Sequence, residues 1–112
     1  MRSLPKTLLA LVVIAVALLT YVNTLNNGFI LDDHFLIEQN PSITDFSNIM
    51  EIFTSDVHFF KSSNPSTDYY RPLLLFLYSI EYAIFGLAPW GWHLFNSALH
   101  AANSLLVFVF AH

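Results

Sequence analysis

The stretch from Pro5 to Leu25 limits what this chain can become more than any other feature. Leu8–Leu19 is an unbroken apolar run, and it continues more weakly through Thr20, Tyr21 and Val22. A helix over these 21 residues is roughly 31 Å long, enough to cross the hydrocarbon core of a bilayer. Arg2 and Lys6 precede it and no base follows closely, so the positive-inside rule puts the N-terminus in the cytoplasm. Pro5 suits the first turn of a helix. The rival reading is a cleaved signal peptide, since Ala15-Val16-Ala17 imitates a processing site. Leu18 and Leu19 continue the apolar run where a signal should turn polar. Composition agrees with a membrane. Only 11% of residues are charged and 55% are hydrophobic, whereas soluble domains carry about 25% charged residues. The formal net charge of −4 excludes a nucleic-acid partner, which needs a basic face. With no cysteine, thiol catalysis and thiolate metal sites are excluded.

Residues 26–71 form a polar segment after this first span. It carries seven acids against two bases, Lys61 and Arg71, a balance expected of an external loop. Asn40-Pro41-Ser42 reads as a turn. Asp45 is placed to cap a surface helix over 45–54, with Phe46, Ile49, Met50 and Phe53 at i, i+3, i+4, i+7. Lys61–Thr67 reads as a flexible stretch. Asn40 and Asn64 are followed by proline, which blocks glycosylation at both.

Residues 72–86 are apolar but span only roughly 22 Å as a helix. Tyr78, Glu81, Tyr82 and Phe85 share one face, and an acid at mid-bilayer is costly. A juxtamembrane helix is expected here, with a short tilted span as the alternative. Gly86 should end it, and Trp90 and Trp92 are interfacial anchors. Residues 90–111 can span again. His93, Asn96, His100 and Asn103 form a polar stripe on this helix, which calls for further membrane helices as partners. Ser97/Ala101 and Ala98/Ala102 allow close helix approach. The expected fold is an all-α membrane protein: two transmembrane helices flanking an external loop with short amphipathic juxtamembrane helices.

The chemistry concentrates in Phe29–Leu36, FILDDHFL, where Asp32 and Asp33 sit in an apolar octapeptide just beyond the first span. Neighbouring acids can divide labour, one removing a proton and the other orienting the substrate or a metal ion. The bland alternative is a solvated turn with capping acids. Arg71 suits bidentate capture of a phosphate at a membrane surface, or simple snorkelling. His34 and His58 are external and could serve a site. No pair of histidines has the i, i+4 spacing of helical zinc motifs, so no metal ligands are assigned.

The ordered motifs Tyr21–Asp33 (YVNTLNNGFILDD), Asn40-Pro41, Ile52–Asp56 (IFTSD), Tyr70–Leu73 (YRPL), Tyr82–Gly86 (YAIFG), Pro89, His93, Asn96 and His100 together resemble one family. It is that of the transmembrane and tetratricopeptide-repeat O-mannosyltransferases and their bacterial relatives, within the GT-C glycosyltransferase superfamily. The resemblance covers nearly the whole chain. It implies a polyprenyl- or dolichyl-phosphate sugar donor, a protein or glycan hydroxyl as acceptor, and transfer at the external face, usually with inversion. By the same resemblance, Asp32 matches the catalytic base and Asp33 the second acid, which assists or coordinates a divalent cation. Arg71 and His34 are assigned to substrate, Arg71 near the donor phosphate. Leu31 departs from the family, whose members often carry tryptophan before the acids. Family members also have many more membrane helices, so the chain reads as an N-terminal segment, expected to be inactive alone. The alternative is a small non-catalytic membrane protein that binds a partner bundle through the His93–Asn103 stripe.

Overall fold

A computed structural model describes residues 4–56 and 69–111. Among them the chain is helical without strands, an all-α membrane protein. His58 and the stretch 61–67 lie outside the described residues. The chain divides into two compact units, residues 1–27 with 89–112, and residues 28–88.

The first unit pairs the two long helices. Helix α1, Lys6–Tyr21, follows Pro5 and continues as a 3₁₀ turn over Val22–Asn26. The composite Lys6–Asn26 and the later helix Pro89–Ala111 are both long and apolar enough to cross a membrane. The second helix packs along the first, and small residues dominate the burial. Ala17 is buried on α1, and Gly91, Ser97 and Ala101 are buried with Trp92 on the later helix. Ala98 and Ala102 remain exposed. His100 sets its ring edge-on to Tyr21, with centroids 5.0 Å apart. His93 Nε2–H donates to the carbonyl of Asn27 at 3.1 Å, fastening the start of one helix to the end of the other. The first helix therefore meets part of the polar stripe, while Asn96 and Asn103 stay exposed.

The second unit is a set of short turns around one helix. After the acid motif comes a single π turn, His34–Glu38, then a 3₁₀ turn, Pro41–Ile43. Buried Asn40 joins them: its Oδ1 accepts from Ser42 N–H at 3.0 Å, and its Nδ2 donates to the Leu36 carbonyl at 3.1 Å. Asp45 accepts from Ser47 N–H at 2.8 Å, but it caps a 3₁₀ turn, Phe46–Asn48, which passes into the one-turn helix α2, Ile49–Thr54. The tighter 3₁₀ winding breaks the 100° step on which an apolar face over 46–53 depends. Within α2 the buried residue is Ile52, whereas Phe46, Met50 and Phe53 are 40–72% exposed.

Helix α3, Pro72–Phe85, starts on proline and ends at Gly86, whose φ of 57° favours a residue without a Cβ. Its 14 residues extend only roughly 21 Å, less than the bilayer core. Leu75 on α3 joins Phe29, Ile37, Ile43 and Ile52 in the apolar core of this unit, and each fully buried aliphatic chain stabilises it by about 1.5–3 kcal/mol. Phe53 meets Phe76 with ring centroids 6.1 Å apart, and Tyr70 donates to the Phe53 carbonyl at 2.6 Å, tying the entry of α3 to the end of α2. The remaining helix, Pro89–Ala111, is α4.

Candidate functional site

The acid motif is a strained turn. Leu31 has φ of 48°, a left-handed conformation that suits glycine or asparagine and costs a leucine about 1–2 kcal/mol. Its side chain is 80% exposed, so no packing of that side chain compensates. Around it, Asp33 N–H donates to the Ile30 carbonyl at 3.0 Å, and Asp33 Oδ2 accepts from Ile30 N–H at 3.2 Å. The carbonyl of Asp32 accepts from the N–H groups of Phe35 and Leu36, at 3.0 and 2.8 Å. Strain held by such over-determined backbone is a mark of functional turns.

This geometry separates the two acids. Asp33 is half-buried and spends one carboxylate oxygen on the backbone of its own turn. The Asp32 side chain is exposed and takes no hydrogen bond among the described residues. One acid holds the loop, and its neighbour is presented to whatever approaches. The adjacent π turn carries His34, whose Nδ1 is engaged by Glu38 four residues on, both side chains lying near the surface. Single π turns recur at functional sites, but here the histidine has one ring nitrogen already committed.

Arg71 stands at the N-terminus of α3, exposed, with its guanidinium 5.4 Å from the ring centroid of Tyr69. Among the described residues it has no carboxylate within ion-pair distance. One residue links it to the acid pair: Tyr78, on α3, lies within electrostatic reach of Asp32, Asp33, Arg71 and Glu81 together. Its hydroxyl is pushed up to about 12, first by burial, then by the negative charges of Asp33, Glu81 and Asp32, with Arg71 pulling the other way. Glu81, one turn further along α3, is 1% exposed. Its Oε2 has no hydrogen-bond partner, and burial pushes its carboxyl up to about 7.

Tyr78 and Glu81 share the helical face that the sequence displays on residues 72–86. No three His, Asp or Glu side chains among the described residues converge as metal ligands; the acid pair could offer carboxylate oxygens to a divalent cation, without a third ligand from this set. A separate groove of about 320 Å³ within the paired long helices, lined by Val12, Val13, Val16 and Ala17 with Thr20, His100 and Ser104, contains none of the acids.

Comparison with known proteins gives a consistent result. No family model matches the chain, and no solved structure matches it. Among curated proteins, Protein O-mannosyl-transferase Tmtc1 of Drosophila melanogaster is 33% identical over 102 residues, covering 87% of this chain and 11% of the relative. Protein O-mannosyl-transferase TMTC2 of Homo sapiens is 37% identical over 89 residues, 79% of this chain and 11% of that protein. Protein O-mannosyl-transferase Tmtc3 of Drosophila melanogaster is 30% identical over 109 residues, 94% of this chain and 12% of the relative. The chain thus spans about a tenth of the length of these relatives. Over most of its own length, this all-α membrane chain resembles a fragment of the TMTC O-mannosyltransferases.

Proposed function

We propose that the chain supplies the acid site of a membrane glycosyltransferase. The enzyme moves a sugar from a polyprenyl- or dolichyl-phosphate donor to a hydroxyl of a protein or glycan acceptor, on the face opposite the cytoplasmic N-terminus. The observation that carries this reading is the division between Asp33, bonded into a strained turn, and Asp32, whose side chain is exposed and takes no hydrogen bond among the described residues. A general base must be free to receive a proton and held by something that does not use its lone pairs.

In this reaction Asp32 accepts the proton of the acceptor hydroxyl as its oxygen attacks the anomeric carbon. The bond from that carbon to the phosphate oxygen breaks, and the electron pair leaves with the lipid phosphate. Arg71, exposed and without an acid partner among the described residues, holds the phosphate as its charge grows. Asp33 keeps the turn in register, and His34 lines the approach. The similarity to proteins named O-mannosyl-transferases favours mannose. The exposed Asn96 and Asn103 on α4 favour packing against further membrane helices, in this enzyme or, on the second reading, in a non-catalytic partner bundle.

The test is a transfer assay on the complete gene product in nanodiscs, with radiolabelled polyprenyl-phosphate mannose and a serine- and threonine-rich peptide. Label should pass to the peptide. Donor left intact with every acceptor offered would contradict the transferase reading.

A further inference from the structure

Two neighbouring apolar side chains at the acid turn face away from the protein: Ile30 is 65% exposed and Leu31 80% exposed. A lone apolar residue at a surface is ordinary. Leu31, however, also holds φ of 48°, which glycine or asparagine adopts at far lower cost. Backbone groups of the same turn are bonded within it. Ile30 N–H donates to Asp33 Oδ2 at 3.2 Å, the Ile30 carbonyl accepts from Asp33 N–H at 3.0 Å, and the Leu31 carbonyl accepts from His34 N–H at 3.3 Å. Apolar side chains on an internally bonded backbone are what entry into a low-dielectric layer demands. Chain length keeps this tip close to such a layer. The first membrane-length helix ends at Asn26, and residues 27–31, even fully extended, reach at most roughly 18 Å from there. The headgroup layer beyond the hydrocarbon is itself roughly 5–7 Å deep. The return to the second span repeats the pattern, since Ile84 and Leu87, 64% and 50% exposed, lie just before Pro89.

We propose that Ile30 and Leu31 anchor the acid turn in the bilayer, their side chains inserted at the boundary between headgroups and acyl chains. The inference needs the two long helices to cross the membrane and does not rest on the transferase reading. Insertion removes both apolar side chains from water, which offsets the left-handed backbone of Leu31. It also fixes a depth. The Asp32 carboxylate cannot follow into hydrocarbon, so it stays among the headgroups while the tip beside it goes below. An acid at that depth is level with the phosphate of a lipid, and a lipid-linked substrate need not be lifted out of its leaflet to meet it. The contact is with hydrocarbon rather than with anionic headgroups, because Asp32 and Asp33 beside the tip repel negative charge. Phosphatidylcholine alone therefore suffices as the partner.

The test uses the complete gene product, free of other reactive thiols, in phosphatidylcholine nanodiscs without donor. Leu31→Cys and Ile30→Cys each carry a nitrobenzoxadiazole fluorophore, and both should emit to the blue of the same label at Gln39→Cys, an exposed position. Lipid with a nitroxide high on its acyl chain should quench most of the emission at 30 and 31 and little at 39. Aqueous iodide should do the reverse. Adding Leu31→Asn, which suits the left-handed backbone, to the Ile30→Cys protein should return that label to water. Lipid quenching that persists there would overturn the role given to Leu31. Iodide quenching at 30 and 31 would overturn the anchor in favour of a solvated turn, and protection from both quenchers in favour of packing against further helices of the protein. None of these results decides the transfer assay, so the transferase reading stands or falls separately.

Discussion

Replacing Asp32 by asparagine should abolish sugar transfer while leaving the fold untouched. The side chain accepts no hydrogen bond from the described chain and is exposed, so an amide of the same shape disturbs no contact. Its chemistry is nevertheless lost, because an amide cannot take the proton of the attacking hydroxyl. General-base removal costs about 10²–10⁴ in rate, and kcat for transfer should fall within that range with donor KM nearly unchanged. Asp33→Asn makes the comparison informative. An asparagine carbonyl can still accept from Ile30 N–H, as Asp33 Oδ2 does at 3.2 Å, so the turn survives and the loss should be smaller. If Asp33→Asn were the more damaging change, the roles of the two acids would have to be exchanged.

The second large effect is expected at Arg71. Its guanidinium is exposed, rests over the Tyr69 ring and has no carboxylate within ion-pair distance among the described residues. It is therefore available to a phosphate. Hydrogen bonds to charged groups contribute about 1.5–3 kcal/mol each, so Arg71→Ala should raise donor KM about 10- to 100-fold. The loss of the contact with Tyr69 adds about 0.5–1 kcal/mol at an exposed site. Arg71→Lys should recover part of the affinity, since a lysine keeps the charge but cannot form the two-pronged contact. The readout is donor titration at fixed acceptor. A change confined to acceptor KM would move Arg71 away from the phosphate.

How much of this was legible in the sequence follows from what each feature depends on. The two long helices depend on length and apolarity, which a chain displays openly in Leu8–Leu19 and, despite its polar stripe, in residues 90–111. The break after α3 is also local, because Gly86 alone there tolerates its backbone angle. The surface helix expected over 45–54 assumed uniform α winding. The chain instead winds as a 3₁₀ turn at Phe46–Asn48 before α2, where Ile52 is the buried residue.

The site was half visible. Adjacent acids near a span are conspicuous, but nothing in FILDDHFL announces a leucine at φ 48°, since leucine is not a residue that favours that region. The unequal status of Asp32 and Asp33 follows from that turn, and so it too was hidden. Glu81 shows the same limit. Helical spacing places it beside Tyr78, whereas its burial depends on packing that spacing cannot reveal.

The central claim is that the acid pair meets its donor on the face opposite the N-terminus. It can be tested directly, because the chain has no cysteine and Gln39 is exposed a few residues beyond the acids. A Gln39→Cys variant of the complete gene product, free of other reactive thiols, should react in sealed vesicles with an impermeant maleimide applied to the non-cytoplasmic face. Reaction from the cytoplasmic face alone would contradict the account.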